Sequence, residues 1–266
     1  MSFDRSVRIL ALTALMPLLV GAPTILRAAD ADPWPGLKTE LFQNRALAEQ
    51  DGVVALEAPV RAEDAAIVPM TLRFANPAGL KTATLVIDQN PMPMAATFTL
   101  GPDAGVGFIS TRVRVNSYSN VHAVAETRDG GLHADVKFVK AAGGCSAPAV
   151  KDQDEAKAHL GQMKYREFKS ADPARREAQI MIRHPNNSGM QMDQMTRLYI
   201  PAHFIDRVEV RQGEALIFSM EGGISLSEDP NFRFSYAPNG AKTMSVIAHD
   251  NKGNEYKAEW PIAEAS

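Results

Sequence analysis

Cys145 is the only cysteine in the 266 residues, and it is the one side chain with soft nucleophilic chemistry of its own. A thiolate attacks disulfides and electrophilic sulfur, and it also ligates metals. The cysteine stands in Ala141-Ala142-Gly143-Gly144-Cys145-Ser146-Ala147-Pro148. Glycine adopts positive φ as readily as negative, and the small residues and proline behind the thiol neither continue a ladder nor start a helix. A lone cysteine is usually a buried small hydrophobe. Here the flanks offer no bulk to pack, and a buried loop would leave its own backbone polar groups unpaired. The pattern predicts an exposed thiol on a loose arm, with Cys145 as a covalent attachment point and Gly143 and Gly144 as the swivel. Lys137, Lys140 and Lys151 would favour its thiolate.

A catalytic thiol needs a base at fixed hydrogen-bonding distance. Histidines stand at positions 122, 133, 159, 184, 203 and 249, and a glycine-rich arm works against holding Cys145 beside any of them. The chain has no nucleophile elbow, phosphate loop, dinucleotide fingerprint or two-histidine zinc helix. Neither an enzyme nor a resident cofactor is expected. A second soft-donor group is Met190, Met192 and Met195 near His184, with Met92 and Met94 as a lesser pair. Thioethers with imidazole suit Cu(I), so a copper-binding or copper-chaperone protein is the rival reading. Against it, methionine commonly fills irregular gaps in cores.

The elements that must position these residues are mostly strands. Residues 1–31 read as a secretory signal: Arg5 and Arg8, an apolar run from Ile9 to Val20, then Ala28, Ala29 and Ala31. The run is short for a membrane span, which takes about 20 apolar residues. An exported, periplasmic chain with no membrane contact after signal cleavage is expected. A formal net charge of −3 supplies no basic field for nucleic acid. In an oxidising compartment an unpaired cysteine reads as a reactive thiol.

A short helical piece is predicted between Trp34 and Gln50. Strands follow at 53–56, 67–74, 82–87, 96–100, 108–115, 120–126 and 132–139, separated by turns such as Asp129-Gly130. Lys151 to Lys169 reads as helical, opened by an Asp152/Glu155 capping box. A second β pattern covers 178–182, 204–211, 214–220, 232–236, 243–248 and 256–260. The fold class is therefore mainly β, as two tandem immunoglobulin-like sandwiches: 32–140, then a Cys-bearing arm and helical linker over 141–176, then 177–266.

Two regions also resemble a known family. Ile182-Arg183-His184-Pro185-Asn186-Asn187-Ser188-Gly189, Asp193, Ile200-Pro201-Ala202-His203-Phe204-Ile205 and His249-Asp250-Asn251-Lys252-Gly253 resemble SoxZ. Val86-Ile87-Asp88-Gln89-Asn90-Pro91, Phe98, Arg112-Val113-Arg114-Val115 and Gly143-Gly144-Cys145 look like SoxY. Joined in one chain, they resemble the quinoprotein dehydrogenase-associated SoxYZ-like carrier proteins. That resemblance implies a swinging-arm cysteine carrying sulfur intermediates between periplasmic redox enzymes, of the Sox type or of a quinoprotein dehydrogenase system. Cys145 matches the carrier cysteine, whereas Ser146-Ala147-Pro148 replaces the glycines that follow it in the family pattern. His184, Asp193 and His203 match motif positions and are read as structural.

Overall fold

In a computed structural model, residues 32–148 and 153–263 are described. The predicted signal segment 1–31 and Asp152 of the predicted capping box lie outside them. Pro35 sits in the first turn of helix α1 (Trp34–Phe42), where a missing N–H costs nothing, and Gln43 closes the helix in the left-handed region. Strands β1 (Leu47–Glu49), β2 (Val54–Glu57), β3 (Val68–Phe74), β4 (Leu80–Ile87), β5 (Met94–Leu100), β6 (Phe108–Val113), β7 (Ser119–Thr127) and β8 (Leu132–Val139) follow. After the cysteine segment come α2 (Gln153–Ala158), β9 (Met163–Phe168), β10 (Arg176–Ile182), β11 (Ile205–Gln212), β12 (Ala215–Gly222), β13 (Asn231–Tyr236), β14 (Thr243–Asp250) and β15 (Glu255–Pro261).

Alternation of burial carries the sandwich. In β14, Met244, Val246, Ala248 and Asp250 face inward while the residues between them are partly exposed. The Asp129-Gly130 turn joins β7 to β8 as predicted, with Gly130 at φ +92° and Thr127 N–H donating to Gly131 O. β7 is buried on both faces because α1 covers its outer side. Trp34 and Phe42 pack on Val124, Leu132 and Ala134.

Both sheets run through the two halves of the sequence. One has the order β1-β8-β7-β4-β5-β12-β11-β14-β15, the other β2-β3-β6-β13-β10-β9. The halves join edge to edge where β5 pairs with β12 and β6 with β13. Phe98 from the first half meets Phe218 and Phe232 from the second at 5.8 and 6.2 Å in one continuous core. From Pro33 onward the described chain is one compact unit. The mainly β, immunoglobulin-like class holds, with the halves welded through both sheets.

Two helical expectations need correction. The helix predicted between Trp34 and Gln50 stops at Phe42, and Leu47–Glu49 adds a short parallel edge strand to β8. The helix predicted over 151–169 gives way at Gly161 (φ +75°) to strand β9, paired with β10. Met163, which the helical reading places on a stripe with Ala156, Leu160 and Phe168, instead alternates with exposed Lys164, and it and Tyr165 pack on the core.

Candidate functional site

β8 delivers the cysteine segment. Lys140 still pairs with the chain at its entry: its N–H donates to Val60 O and its carbonyl accepts from Ala62 N. Gly143 then takes φ +76°, which only glycine adopts freely, and sends its N–H 2.7 Å to Asn116 O. Gly144 donates to Val115 O at 3.2 Å, and Ser146 N–H returns to Gly143 O. A side-chain carbon at Gly144 would collide with the carbonyl of Ala65 and stand 2.7 Å from that of Val115. The two glycines therefore let the segment turn sharply and press onto the backbone of the Ala65 turn and of Val115, just beyond β6. They are not a swivel in this conformation.

The thiol follows them inward, and the expectation of an exposed, loose arm is corrected: Cys145 is 0% exposed. Burial pushes its pKa up to about 11, and the nearby Arg114 guanidinium pulls only weakly the other way. Of the lysines expected to activate it, Lys137 pairs with Asp135 at 3.3 Å, and Lys151 lies outside the described residues. The cation beside the thiol is Arg114, itself 1% exposed, with burial lowering its pKa. Its Nη1 donates to Gly144 O at 3.2 Å and its Nη2 to Asn186 O at 3.3 Å, while its buried Nε makes no hydrogen bond.

The second half closes the seat. Ser188 Oγ donates to the carbonyl of Cys145, and Gln191 Nε2 donates to that of Ala147 at 3.1 Å. Ser188 and Gln191 are tied together by a 3.0 Å bond from Ser188 N–H to Gln191 Oε1. Sequence reasoning missed this clamp and missed Arg114. The available signal was the run Thr111, Val113, Arg114, Val115: strand alternation would put Arg114 outward, but β6 ends at Val113 and Arg114 turns in.

No histidine comes to the thiol by hydrogen bond. His122 stacks on Trp34 (3.6 Å between centroids, 5° apart) and bonds Asp88 at 3.1 Å. His133 pairs with Asp51. The thioether site expected with His184 is not assembled: Met195 is 94% exposed, and both His184 ring nitrogens face other groups. His184 Nδ1 lies 2.8 Å from Asn186 Oδ1, and Nε2 lies 3.6 Å from Asp250 Oδ2. His203 Nε2 reaches the same oxygen at 2.8 Å. Asp193 caps an exposed turn, accepting from Met195 N–H and Thr196 N–H. Burial lowers the His184 pKa to about 4. Burial raises that of Asp250, but bonds from Asn254, His203 and Tyr256 outweigh it and hold the carboxylate well below its usual range.

The thiol is thus sealed beside a buried cation, Arg114, in a seat closed by Ser188 and Gln191. A family model for the sulfur oxidation protein SoxY matches residues 38–145, ending on that cysteine, and one for the sulphur oxidation protein SoxZ matches 165–261. Taken together they account for most of the chain, which belongs to the SoxYZ-like carriers with both parts fused in one polypeptide. Comparison with curated protein sequences gives no match. Among solved structures, the sulfur carrier protein SoxY from Chlorobium limicola f thiosulfatophilum is 26% identical, over 42% of this chain and 93% of its own, with a TM-score of 0.36. A superoxide reductase (neelaredoxin) from Ignicoccus hospitalis is 13% identical over 35% of this chain and 93% of its own, with a TM-score of 0.32. Superpositions this loose carry no argument about mechanism. Among the described residues no helix is long and apolar enough to cross a membrane.

Proposed function

We propose that the chain is a periplasmic carrier that holds an oxidised-sulfur intermediate on Cys145 and presents it to redox enzymes, with the seated conformation as its closed state. The observation that carries this reading is that the SoxY match ends on Cys145, the only cysteine, seated against Arg114 and clamped from the SoxZ half. Loading joins Cys145 Sγ to the outer sulfur of a thiosulfate-class anion. The thiol proton and two electrons leave, the electrons going to the oxidising enzyme. In its seat the thiol stays protonated. Released to solvent, it returns towards the free-cysteine value of 9.0, and the thiolate fraction at neutral pH rises about a hundredfold. Release must break the bonds of Ser188, Gln191 and Arg114 to the segment, each a modest interaction of about 1 kcal/mol net. That gating makes the thiol available only to a partner able to displace the clamp. The fused arrangement and its resemblance to quinoprotein-associated carriers support a quinoprotein dehydrogenase system as that partner.

Intact-mass spectrometry of protein recovered from its native compartment tests the reading. A sulfur-containing adduct that maps to Cys145 and is absent from Cys145→Ser is expected. The burial of the thiol favours a second reading, a non-covalent adaptor that tethers a dehydrogenase to its acceptor. An unmodified Cys145 in all conditions, with partner activity undisturbed in Cys145→Ser, would establish the adaptor and remove the carrier.

A further inference from the structure

The SoxZ half contains a cluster that the sulfur chemistry does not use. One ligand atom from each of His184, His203 and Asp250 lies within 4.8 Å of the others, with His184 Nε2 and His203 Nε2 at 3.6 and 2.8 Å from Asp250 Oδ2, at the end of the sandwich where β10 leaves its sheet and the β14–β15 turn begins. His184 is sealed: its side chain is 0% exposed, and its Nε2 has no hydrogen-bond partner. The tautomers do not repair this. If Nδ1 carries the proton, it donates to Asn186 Oδ1 at 2.8 Å, and Nε2 is a bare lone pair buried without a donor. If Nδ1 instead accepts from Asn186 N–H at 3.1 Å, the Nε2 proton points at a carboxylate oxygen 3.6 Å away, beyond hydrogen-bond reach. Either way a buried polar atom is left unpaired, its desolvation uncompensated.

We propose that these three atoms form a binding site for one divalent first-row metal ion of the zinc class. Two imidazoles and one carboxylate are the donor set that such ions take, with a remaining position open to water. Ligand bonds of about 2.0–2.2 Å at tetrahedral angles place donor atoms about 3.4 Å apart. The His184–Asp250 separation of 3.6 Å already fits, and the His203–Asp250 separation of 2.8 Å must widen by about half an ångström to that same spacing. His203 has room to move, since 23% of its side chain is exposed, and it gives the ion its way in. On binding, the ion takes the place of the proton that His203 Nε2 donates to Asp250, and the neutral ring carries its single proton on Nδ1 instead. The outer shell is in place. Asn186 orients His184, while Asn254 Nδ2 and Tyr256 OH, each at 2.8 Å, hold Oδ2, and the N–H groups of Lys252 and Asn254 hold Oδ1.

The experiment uses chelator-stripped full chain titrated with Co(II), then with Zn(II), in the wild type, His203→Gln and Cys145→Ser. Expected are visible Co(II) bands that saturate at one equivalent, displacement by Zn(II), and a rise in melting temperature on loading. Cys145→Ser should keep all three, and His203→Gln should lose affinity at least a hundredfold. Zinc X-ray absorption of the wild type needs no variant, and should show two imidazoles and no sulfur. Absence of saturable bands, loss of binding in Cys145→Ser, or sulfur in the coordination sphere would each overturn the proposal.

Discussion

Two segments of this protein reverse what their compositions suggest. Residues 141–148 are small, glycine-bearing and nominally loose, yet Cys145 is fully buried. Residues 190–199 are rich in bulky apolar side chains, yet Met195, Leu198 and Tyr199 project into solvent. Exposure is decided by what can approach, and small residues approach closest. Gly144 lets the chain lie directly on the carbonyls of Ala65 and Val115, at a distance no side chain permits. The 190–199 excursion is held by local bonds within itself: Asp193 caps Met195 and Thr196, and Asp193 N–H and Ile200 N–H donate to Leu198 O and Gln191 O. Such a turn satisfies its backbone without needing a core, so its apolar side chains are left outside.

The largest expected effect comes from breaking the close approach. Gly144→Ala puts a carbon against two backbone carbonyls that cannot swing aside, and overpacking of this kind costs about 3 kcal/mol. For a chain of this size, that lowers the melting temperature by on the order of 10 °C. The same change should unseat the segment and make Cys145 react with a maleimide far faster than in the wild type. A variant as stable as the wild type, with its thiol still protected, would show that the seat on Ala65 is not what buries the cysteine.

Next in size is a pH effect. The thiol pKa is raised from 9.0 to about 11 in the folded state, so the sign is that of a group that prefers to stay neutral when buried. Its contribution is fully present below about pH 9. Between pH 9 and 11 the unfolded chain gives up the proton while the folded chain keeps it, and stability falls as pH rises. Two pKa units correspond to at most about 3 kcal/mol, with Arg114 acting in the opposite direction. Denaturant melts of wild type and Cys145→Ser across that range measure the difference directly, since every other group titrates in both. Parallel curves would mean that solvent reaches the sulfur in the native state.

These segments also mark where the sequence was legible. Strands of strict alternation, such as Val68, Met70, Leu72 and Phe74 in β3, declare their inward face. The Asp129-Gly130 hairpin follows from local turn chemistry alone. The weld between the halves does not, because pairing of β5 with β12 joins residues more than a hundred positions apart and no periodicity encodes an edge partner. The cysteine was legible as the site by its uniqueness and by its place after two glycines. Its burial was not, because the cover comes from Ser188, Gln191 and Arg114, each unremarkable in its own stretch. The histidines told a similar story: His184 and His203 are 19 positions apart, and the last residue of β14 carries the Asp250 carboxylate that joins them.

The smallest effect expected falls on the other segment. Met195→Ser with Leu198→Ser removes two exposed apolar side chains that contribute little burial, so the change in stability should stay within about 0.5 kcal/mol per site. That near-silence is informative because neighbouring Ser188 and Gln191 hold the cysteine segment through hydrogen bonds to its carbonyls. If the exposed side chains belonged to the clamp, the double variant would speed Cys145 labelling. If the clamp consists of Ser188 and Gln191, labelling should stay at the wild-type rate while Ser188→Ala raises it several-fold. The pair of variants thus separates a lid made of apolar contact from a latch made of hydrogen bonds, and the geometry places the latch at Ser188.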